Sequence, residues 1–249
     1  MILSLLLIGA CSNKEVKPSA PIDTKAVRLE KRSQEETRKY NYAAATNAAH
    51  DALLLYALLD DQKGQLRSHI NLTRLYLLQG QRDTAEKHLL KARSLAQEMS
   101  DQSQMYHVHL LSGKLHNDQQ EFRQALISAK SSLEKAVAET YLQNYDQAYA
   151  LVEKEQPASA SEEDDMAFVF LQYARTADDE EVGKKALNLF KKNENTIGIS
   201  DSLFVLGNIT RKQGDRTKAE HYFRRALEVN LAMGDKHRIS VIVKELEAL

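Results

Sequence analysis

The distribution of apolar and polar residues divides the chain into three parts. The first ten residues are uncharged and almost wholly apolar, whereas residues 12–25 (SNKEVKPSAPIDTK) are polar and contain two of the three prolines. From residue 26 onward the pattern predicts consecutive helices separated by short turns, and residues 235–249 (DKHRISVIVKELEAL) predict one amphipathic helix. We therefore expect a short apolar leader, a flexible polar tether and a helical body.

Two segments of the helical body repeat one pattern. Residues 79–92 read QGQRDTAEKHLLKA and residues 213–226 read QGDRTKAEHYFRRA, with Gln, Gly, Arg, Ala, Glu and the final Ala in common. In each copy a helix ends before the glycine, which accepts the left-handed backbone that stops a helix. The next helix then carries Ala85 or Ala219, a small residue where two helices cross closely. This recurrence predicts stacked helix–turn–helix units.

The recurring unit resembles the tetratricopeptide repeat, a helix–turn–helix unit of about 34 residues. The last unit matches the signature best, at Leu203, Leu206, Gly207, Gly214, Ala219, Phe223 and Ala226. The resemblance implies an all-α fold, a right-handed α-solenoid over residues 26–234 with residues 235–249 as a capping helix. Units are expected to start near residues 26, 66, 106, 167 and 200, with a shortened helix pair at residues 131–155. An unrelated helical bundle is the alternative.

Composition and charge narrow the function classes. Apolar residues make up 43% of the chain and charged residues 28%, as in an ordinary folded protein. The net charge of −1 provides no basic field, so we expect no nucleic-acid partner. Cys11 is the only cysteine and cannot form an internal disulfide, so the fold must depend on packing.

The apolar leader predicts that the protein is attached to a membrane. As a helix its ten residues span roughly 15 Å, about half of a ~30 Å hydrocarbon core, which is too short for a membrane span. Ile8, Gly9, Ala10 and Cys11 resemble the lipidation box of bacterial lipoproteins. The resemblance implies that residues 1–10 are a signal peptide, that Cys11 carries the lipid, including palmitate, and that residues 11–25 form the tether.

Lipidation implies a location at a bacterial cell membrane. Ser12 follows the cysteine in place of the Asp that retains lipoproteins in the inner membrane, so the resemblance implies the outer membrane, facing the periplasm. Met1 and Ile2 lack the positive charge with which such signals begin, and we expect either that the true start codon lies upstream or that the chain has been trimmed. The alternative is a cytosolic protein whose first turn is apolar.

The sequence contains little evidence for a metal site or a catalytic site. His107 and His109 face different sides of a helix, and His116 lies two turns beyond His109, so we expect no metal site. The acidic stretches SASEEDDMAF and TADDEEVGKK read as helix starts, with capping pairs Ser161–Asp164 and Asp178–Glu181. No phosphate-loop, dinucleotide or nucleophile-elbow motif occurs, so we expect no cofactor, no catalytic residue and a protein that is not an enzyme.

The concave face provides the candidate binding site. In tetratricopeptide arrays the first helix of each unit lines this face, and equivalent positions eight residues into each unit are Gln34, Arg74, Lys114, Arg175 and Asn208. Phe168 and Phe204 would add apolar contacts. The resemblance implies that such Lys, Arg and Asn side chains hold a carboxylate of a partner peptide, to which guanidinium groups bind bidentately. The alternative is a merely solvated helix face.

These observations predict a lipid-anchored scaffold or adaptor at the cell envelope. It would bind a protein or peptide through the concave groove, in pilus or secretion assembly or in recruitment of cell-wall enzymes. Two alternatives stay open. One is a cytosolic regulatory repeat protein, and the other is an accessory factor or enzyme of peptidoglycan metabolism.

Overall fold

The computed structural model describes residues 21–249, which form thirteen α-helices and no strand. The helices are α1 (Ile22–Arg38), α2 (Tyr42–Leu58), α3 (Gln62–Leu78), α4 (Arg82–Glu98), α5 (Gln102–His116), α6 (Gln119–Ser128), α7 (Ser132–Tyr141), α8 (Tyr145–Val152), α9 (Ala160–Ala177), α10 (Glu180–Lys192), α11 (Thr196–Lys212), α12 (Arg216–Met233) and α13 (Lys236–Glu247). Each helix packs against the next along the chain. The predicted all-α solenoid is confirmed.

The helices form two layers. Pairs α1/α2, α3/α4, α5/α6, α7/α8, α9/α10 and α11/α12 pack side by side, and α13 packs on α12. The first helices of successive pairs also contact one another, as α3 does with α5, α7 with α9 and α9 with α11. The inner layer of the solenoid is therefore built from the odd-numbered helices, where the candidate binding residues lie.

Most turns between helices use a single left-handed residue. In the first half these residues are Tyr40, Asp60, Gly80 and Ser100, at intervals of twenty residues. The residue that follows donates its backbone N–H to a carbonyl in the last turn of the preceding helix, as in Gln81 N–H to Tyr76 O at 2.8 Å. This bond satisfies a helix end and reverses the chain. Only one of these four turns contains a glycine.

The middle of the solenoid is shortened. Helices α1–α4 have seventeen residues each, whereas α6 and α7 have ten and α8 has eight. The shortened pair expected at residues 131–155 corresponds to α7 and α8. This change of length alters the spacing of the inner helices between α5 and α9.

One boundary differs from the sequence prediction. Helix α1 begins at Ile22, so residues 22–25 belong to the first helix and not to the tether. Pro21 precedes the helix with a φ of −48°, and Asp23 lies in the first turn. A proline is tolerated at this position because its N–H would lack a partner in any case, and a carboxylate favours the helix N-terminus. The proposed signal peptide and Cys11 lie outside the described residues.

Close helix contact explains signature glycines. A Cβ at Gly207 on α11 would lie 2.6 Å from Cε1 of Phe223 on α12. A Cβ at Gly113 on α5 would lie 2.5 Å from Cε1 of Phe122 on α6. Each glycine therefore allows an aromatic ring of the outer helix to pack on the backbone of the inner helix.

Candidate functional site

The inner layer encloses a cavity of about 350 Å³. Helices α1, α3 and α5 form one side of it, and α9 and α11 form another. The charged residues that line it are Arg38, Arg74, Lys114, Asp164, Asp165 and Asp201. Apolar side chains, among them Leu110 and Phe168, complete the wall. The cavity therefore offers charged groups of both signs against an apolar background.

Two basic side chains on one wall have no ion-pair partner. Arg74 on α3 and Lys114 on α5 form no salt bridge with any residue between 21 and 249. The Lys114 ammonium lies 4.6 Å from the ring centroid of Tyr141, and that ring stacks at 5.3 Å on Phe168. The cation–π contact positions the lysine without neutralising it. Both positive charges thus remain available to a ligand.

The carboxylates of the other wall differ in their pairing. Asp164 accepts a hydrogen bond from Arg38 Nε at 2.7 Å, and Asp201 pairs with Arg238. Asp165 on α9 has no salt-bridge partner within the described part of the chain, although it lies among the same cavity-lining residues. Its side chain is open to solvent within the concave surface.

The surrounding protein acts on the ionisation of these groups. The surrounding helices partly desolvate the Asp165 carboxyl group and raise its pKa, although the residue keeps solvent-accessible surface, while Arg74 and Lys114 act on the pKa in the opposite direction. Burial lowers the pKa of His107, beside the same cations, to about 4. His107 is therefore neutral at pH 7 and adds no charge to the cavity.

The structure separates the predicted binding residues into two groups. Gln34, Arg74, Lys114 and Phe168 line the central cavity, but a separate pocket is lined by Arg175, Asn208 and Phe204 with Asp178 and Lys212. The predicted binding residues therefore do not line one common pocket.

For Arg175 the cause is a shift of register on α9, whereas Asn208 lies in the separate pocket although it is twelve residues after the start of α11, as expected. Arg74 and Lys114 each lie twelve residues after the first residue of their helix, whereas Arg175 lies fifteen after the start of α9. The residue of α9 at the equivalent position is Gln172, which does line the central cavity. The shortened helices between α5 and α9 interrupt the repeat spacing on which the prediction relied.

The groove is closed at one side by contacts distant in sequence. Arg38 pairs with Asp164 at 2.7 Å, and the Lys39 ammonium lies 3.3 Å from a Glu194 carboxylate oxygen. The Tyr40 hydroxyl donates a hydrogen bond of 3.5 Å to Asp235. We call these three the closing contacts. They join the α1–α2 turn to the C-terminal half and so bound the central cavity on that side, while the cavity stays partly open to solvent.

Three histidines meet at the α2–α3–α4 packing. His50 Nε2 lies 2.8 Å from the Tyr76 hydroxyl, and His69 Nδ1 lies 2.9 Å from His88 Nδ1. Burial lowers the pKa of His69 to about 4 and also lowers the pKa of His88. One neutral ring must therefore donate to the other. This cluster was not predicted from the sequence, although the three histidines occur at equal intervals of nineteen residues.

The histidines weighed earlier as metal ligands have other partners. His109 Nδ1 lies 2.6 Å from a Glu121 oxygen, and His116 Nε2 lies 3.0 Å from a Glu86 oxygen. Between residues 21 and 249, no group of three or more His, Cys, Asp or Glu residues has an arrangement that could hold a metal ion. Within the same range, no helix has the length and apolar character needed to span a bilayer.

Comparison with known proteins agrees with the helical repeat. Residues 200–232, which cover most of α11 and α12, match the tetratricopeptide repeat family. This chain contains a tetratricopeptide repeat. Repeats of this kind generally present concave surfaces that bind other proteins and are not themselves catalytic. No curated protein matches the chain.

Two solved structures are similar in part. A tetratricopeptide repeat protein from Parabacteroides merdae ATCC 43184 is 20% identical, with 89% of this chain and 98% of that chain covered and a TM-score of 0.48. MamA protein is 16% identical, with 85% of this chain and 95% of that chain covered and a TM-score of 0.28.

Proposed function

We propose that this tetratricopeptide repeat protein is a non-catalytic scaffold that binds a segment of a partner protein in the central cavity. The observation that carries the proposal is the pair of unneutralised cations, Arg74 and Lys114, on the inner wall of the solenoid beside Phe168. Two unpaired cations that converge on a concave surface can bind a ligand group that supplies the counter-charge.

The chemistry of the wall suits a carboxylate on the partner. The Arg74 guanidinium can donate two parallel hydrogen bonds to a carboxylate, and the Lys114 ammonium can add a third. Leu110 and Phe168 would shield these bonds from water and contact apolar side chains of the same segment. A buried charge-assisted hydrogen bond contributes roughly 1.5–3 kcal/mol, so the two cations together can provide much of the affinity of a short segment.

A charge-reversal experiment tests the proposal. Partners are captured by crosslinking to the full-length protein in its own cells, and the double variant Arg74→Glu/Lys114→Glu is compared with Arg175→Glu. We expect the double variant to lose capture while its helical circular dichroism is unchanged, because both side chains are solvent-accessible. Arg175→Glu should retain capture, because Arg175 lines the separate pocket. Equal capture by all three proteins, or equal loss in both variants, contradicts the proposal.

We propose further that the protein is lipid-anchored through Cys11 at the outer membrane, facing the periplasm. The support is the sequence Ile8–Gly9–Ala10–Cys11 followed by Ser12, together with the polar stretch before α1. Palmitate labelling and membrane fractionation should show label and membrane attachment in the native protein and neither in Cys11→Ser. If both proteins fractionate as unlabelled cytosolic proteins, the anchor is rejected and a cytosolic regulatory role replaces it.

An anchored scaffold would act passively. Its acyl chains would raise its local concentration near other envelope proteins, which favours binding without any chemical step. Assembly of a pilus or secretion apparatus, or recruitment of a cell-wall enzyme, fits this arrangement. A purified protein without hydrolytic activity on peptidoglycan would agree with a scaffold, whereas cleavage of peptidoglycan would favour the enzymatic alternative.

A further inference from the structure

We propose that the central cavity selects a peptide segment bearing both an acidic and a basic side chain. Arg74 and Lys114 would bind the acidic group, and Asp165 would bind the basic group. This inference rests on the proposed function and specifies the class of segment that the cavity accepts.

The pairing of the lining charges leads to this inference. Six charged side chains line the cavity, and Arg38, Asp164 and Asp201 are already engaged in salt bridges. The remaining three are two cations and one carboxylate, none of which has a salt-bridge partner among residues 21–249. An acidic ligand group would satisfy only the cations and would be repelled by Asp165. A segment with both charges satisfies all three groups.

The separation of the three groups supports the same conclusion. The Asp165 carboxylate lies farther than the 4.0 Å of a salt bridge from both cations. Arg74 and Lys114 nevertheless act electrostatically on it. The opposite charges are therefore close enough to interact across the cavity but too far apart to neutralise each other. That arrangement leaves space for ligand groups between them.

The helices that carry these charges are in place before any ligand arrives. Asp165 and Arg74 project from helices of eighteen and seventeen residues, and the Tyr141 ring positions Lys114. The Arg38–Asp164 salt bridge fixes α1 against α9 next to Asp165. Because these elements need little reordering on binding, less affinity is lost to conformational entropy.

Selection from a displayed library of random peptides tests the inference. The full-length protein is immobilised at pH 7.5 and low salt. The enriched sequences are read for the native protein and for three variants: Asp165→Asn, Lys114→Gln and the double variant Arg74→Glu/Lys114→Glu. For the native protein we expect enrichment of peptides that contain both an acidic and a basic residue. Asp165→Asn should lose the preference for the basic residue and keep the acidic one. Lys114→Gln should weaken the preference for the acidic residue.

Affinity measurements on one selected peptide give the size of the effect. We expect Asp165→Asn to weaken binding about tenfold to hundredfold, as for loss of one charge-assisted hydrogen bond. Replacing the basic residue of the peptide by Gln should cost a similar factor with native protein but little with Asp165→Asn. Glu228→Gln, an exposed carboxylate on α12, is the control and should bind like the native protein.

The outcomes separate the two proposals. Enrichment of purely acidic peptides, unchanged in Asp165→Asn, overturns the mixed-charge inference and leaves the binding function intact. If the native protein enriches peptides no more than the double variant Arg74→Glu/Lys114→Glu does, the binding function itself is contradicted. Enrichment of basic residues that persists in Asp165→Asn shows that another carboxylate binds them and also overturns the inference.

Discussion

Several charged side chains join neighbouring helices through salt bridges, as Arg67 does with Glu30 and Arg93 with Glu121. Burial raises the pKa of the Glu121 carboxyl group, but the hydrogen bonds that it accepts from His109 and Arg93 lower the pKa overall. Arg74 and Lys114 in the cavity have no salt-bridge partner among residues 21–249. A salt bridge within the protein already gives a paired charge a structural role. An unpaired charge on a concave wall has no such role and is therefore the better candidate for ligand binding.

The histidine cluster predicts a pH-dependent stability. Burial lowers the pKa of His69 to about 4, below the ordinary value of about 6.5, so the fold favours the neutral ring. Its contribution is complete above about pH 6.5, declines as the pH falls and is lost near pH 4. In urea unfolding of the native protein, the contribution of His69 to the free energy of unfolding should be about 2 kcal/mol smaller at pH 4.5 than at pH 7.5.

The variant His69→Gln isolates this effect. Its stability should depend less on pH between 7.5 and 4.5, because it removes the group that must gain a proton. His221→Gln, at an exposed position on α12, should retain the native pH dependence. If the free energy of unfolding of His69→Gln changes with pH as much as that of the native protein, His69 is not the cause of the pH dependence.

The contact at Gly207 predicts a large effect of one methyl group. In Gly207→Ala the new Cβ would lie 2.6 Å from the Phe223 ring, so α11 and α12 must separate. Overpacking of this kind costs about 1–3 kcal/mol, which chemical denaturation can measure. Gly214→Asn is the control, since that position is left-handed and uncrowded, and Asn117 already adopts such a conformation here. Equal stability of Gly207→Ala and native protein would contradict the packing.

At the scale of helices, the sequence predicted which segments are helical better than it predicted their ends. The two acidic stretches are helix starts, but the capping residues are Ser159 and Asp179 and not Ser161 and Asp178. Asp178 instead takes the left-handed conformation that ends α9. Several polar residues within one stretch can cap a helix, so composition identifies the start only to within about two residues.

Turns without glycine were harder to predict than turns with it. Tyr40, Asp60 and Ser100 adopt the left-handed conformation although none is a glycine. The hydrogen bonds that close these turns and the packing of the flanking helices hold the backbone there. The Gly80 and Gly214 turns could be predicted because glycine itself signals that conformation.

The capping helix α13 predicts a contrast between neighbouring residues. Ile242 is 2% exposed and belongs to the same apolar cluster as Leu206 and Phe223, whereas Val241 beside it is 36% exposed. Ile242→Asp would place a carboxylate in this cluster and should destabilise the protein by about 3 kcal/mol. Val241→Asp should change the unfolding free energy by less than about 1 kcal/mol. Equal effects in both variants would show that α13 does not cap the solenoid through Ile242.

At the scale of the whole molecule, the contacts that bound the central cavity could not be predicted from the sequence. The pairs Arg38–Asp164 and Tyr40–Asp235 join residues 126 and 195 positions apart. They depend on the rotation that accumulates from repeat to repeat, which no single repeat encodes. Arg74 and Lys114 could be placed correctly because α3 and α5 start forty residues apart, whereas the shortened helices broke this spacing before Arg175.

The closing contacts predict a salt-sensitive shape. They are side-chain contacts without extensive helix packing between α1 and α9, so charge reversal or screening should open the solenoid. Small-angle X-ray scattering of Arg38→Glu should give a larger radius of gyration than native protein. The exchange Arg38→Asp/Asp164→Arg should restore the native value. Arg224→Glu disrupts an exposed salt bridge within α12 and should leave the radius of gyration unchanged. An equal increase of the radius of gyration in Arg224→Glu would contradict the role of Arg38 in closing the solenoid.

The most direct test of the account is site-specific photocrosslinking in living cells. A photoreactive phenylalanine analogue replaces Phe168 in the cavity or Leu90, which is 56% exposed on α4 outside it. We predict a crosslink to a discrete partner polypeptide from position 168, none from position 90, and loss of the crosslink in Arg74→Glu/Lys114→Glu. A crosslink that survives this charge reversal, or one that forms only from position 90, would contradict binding in the cavity.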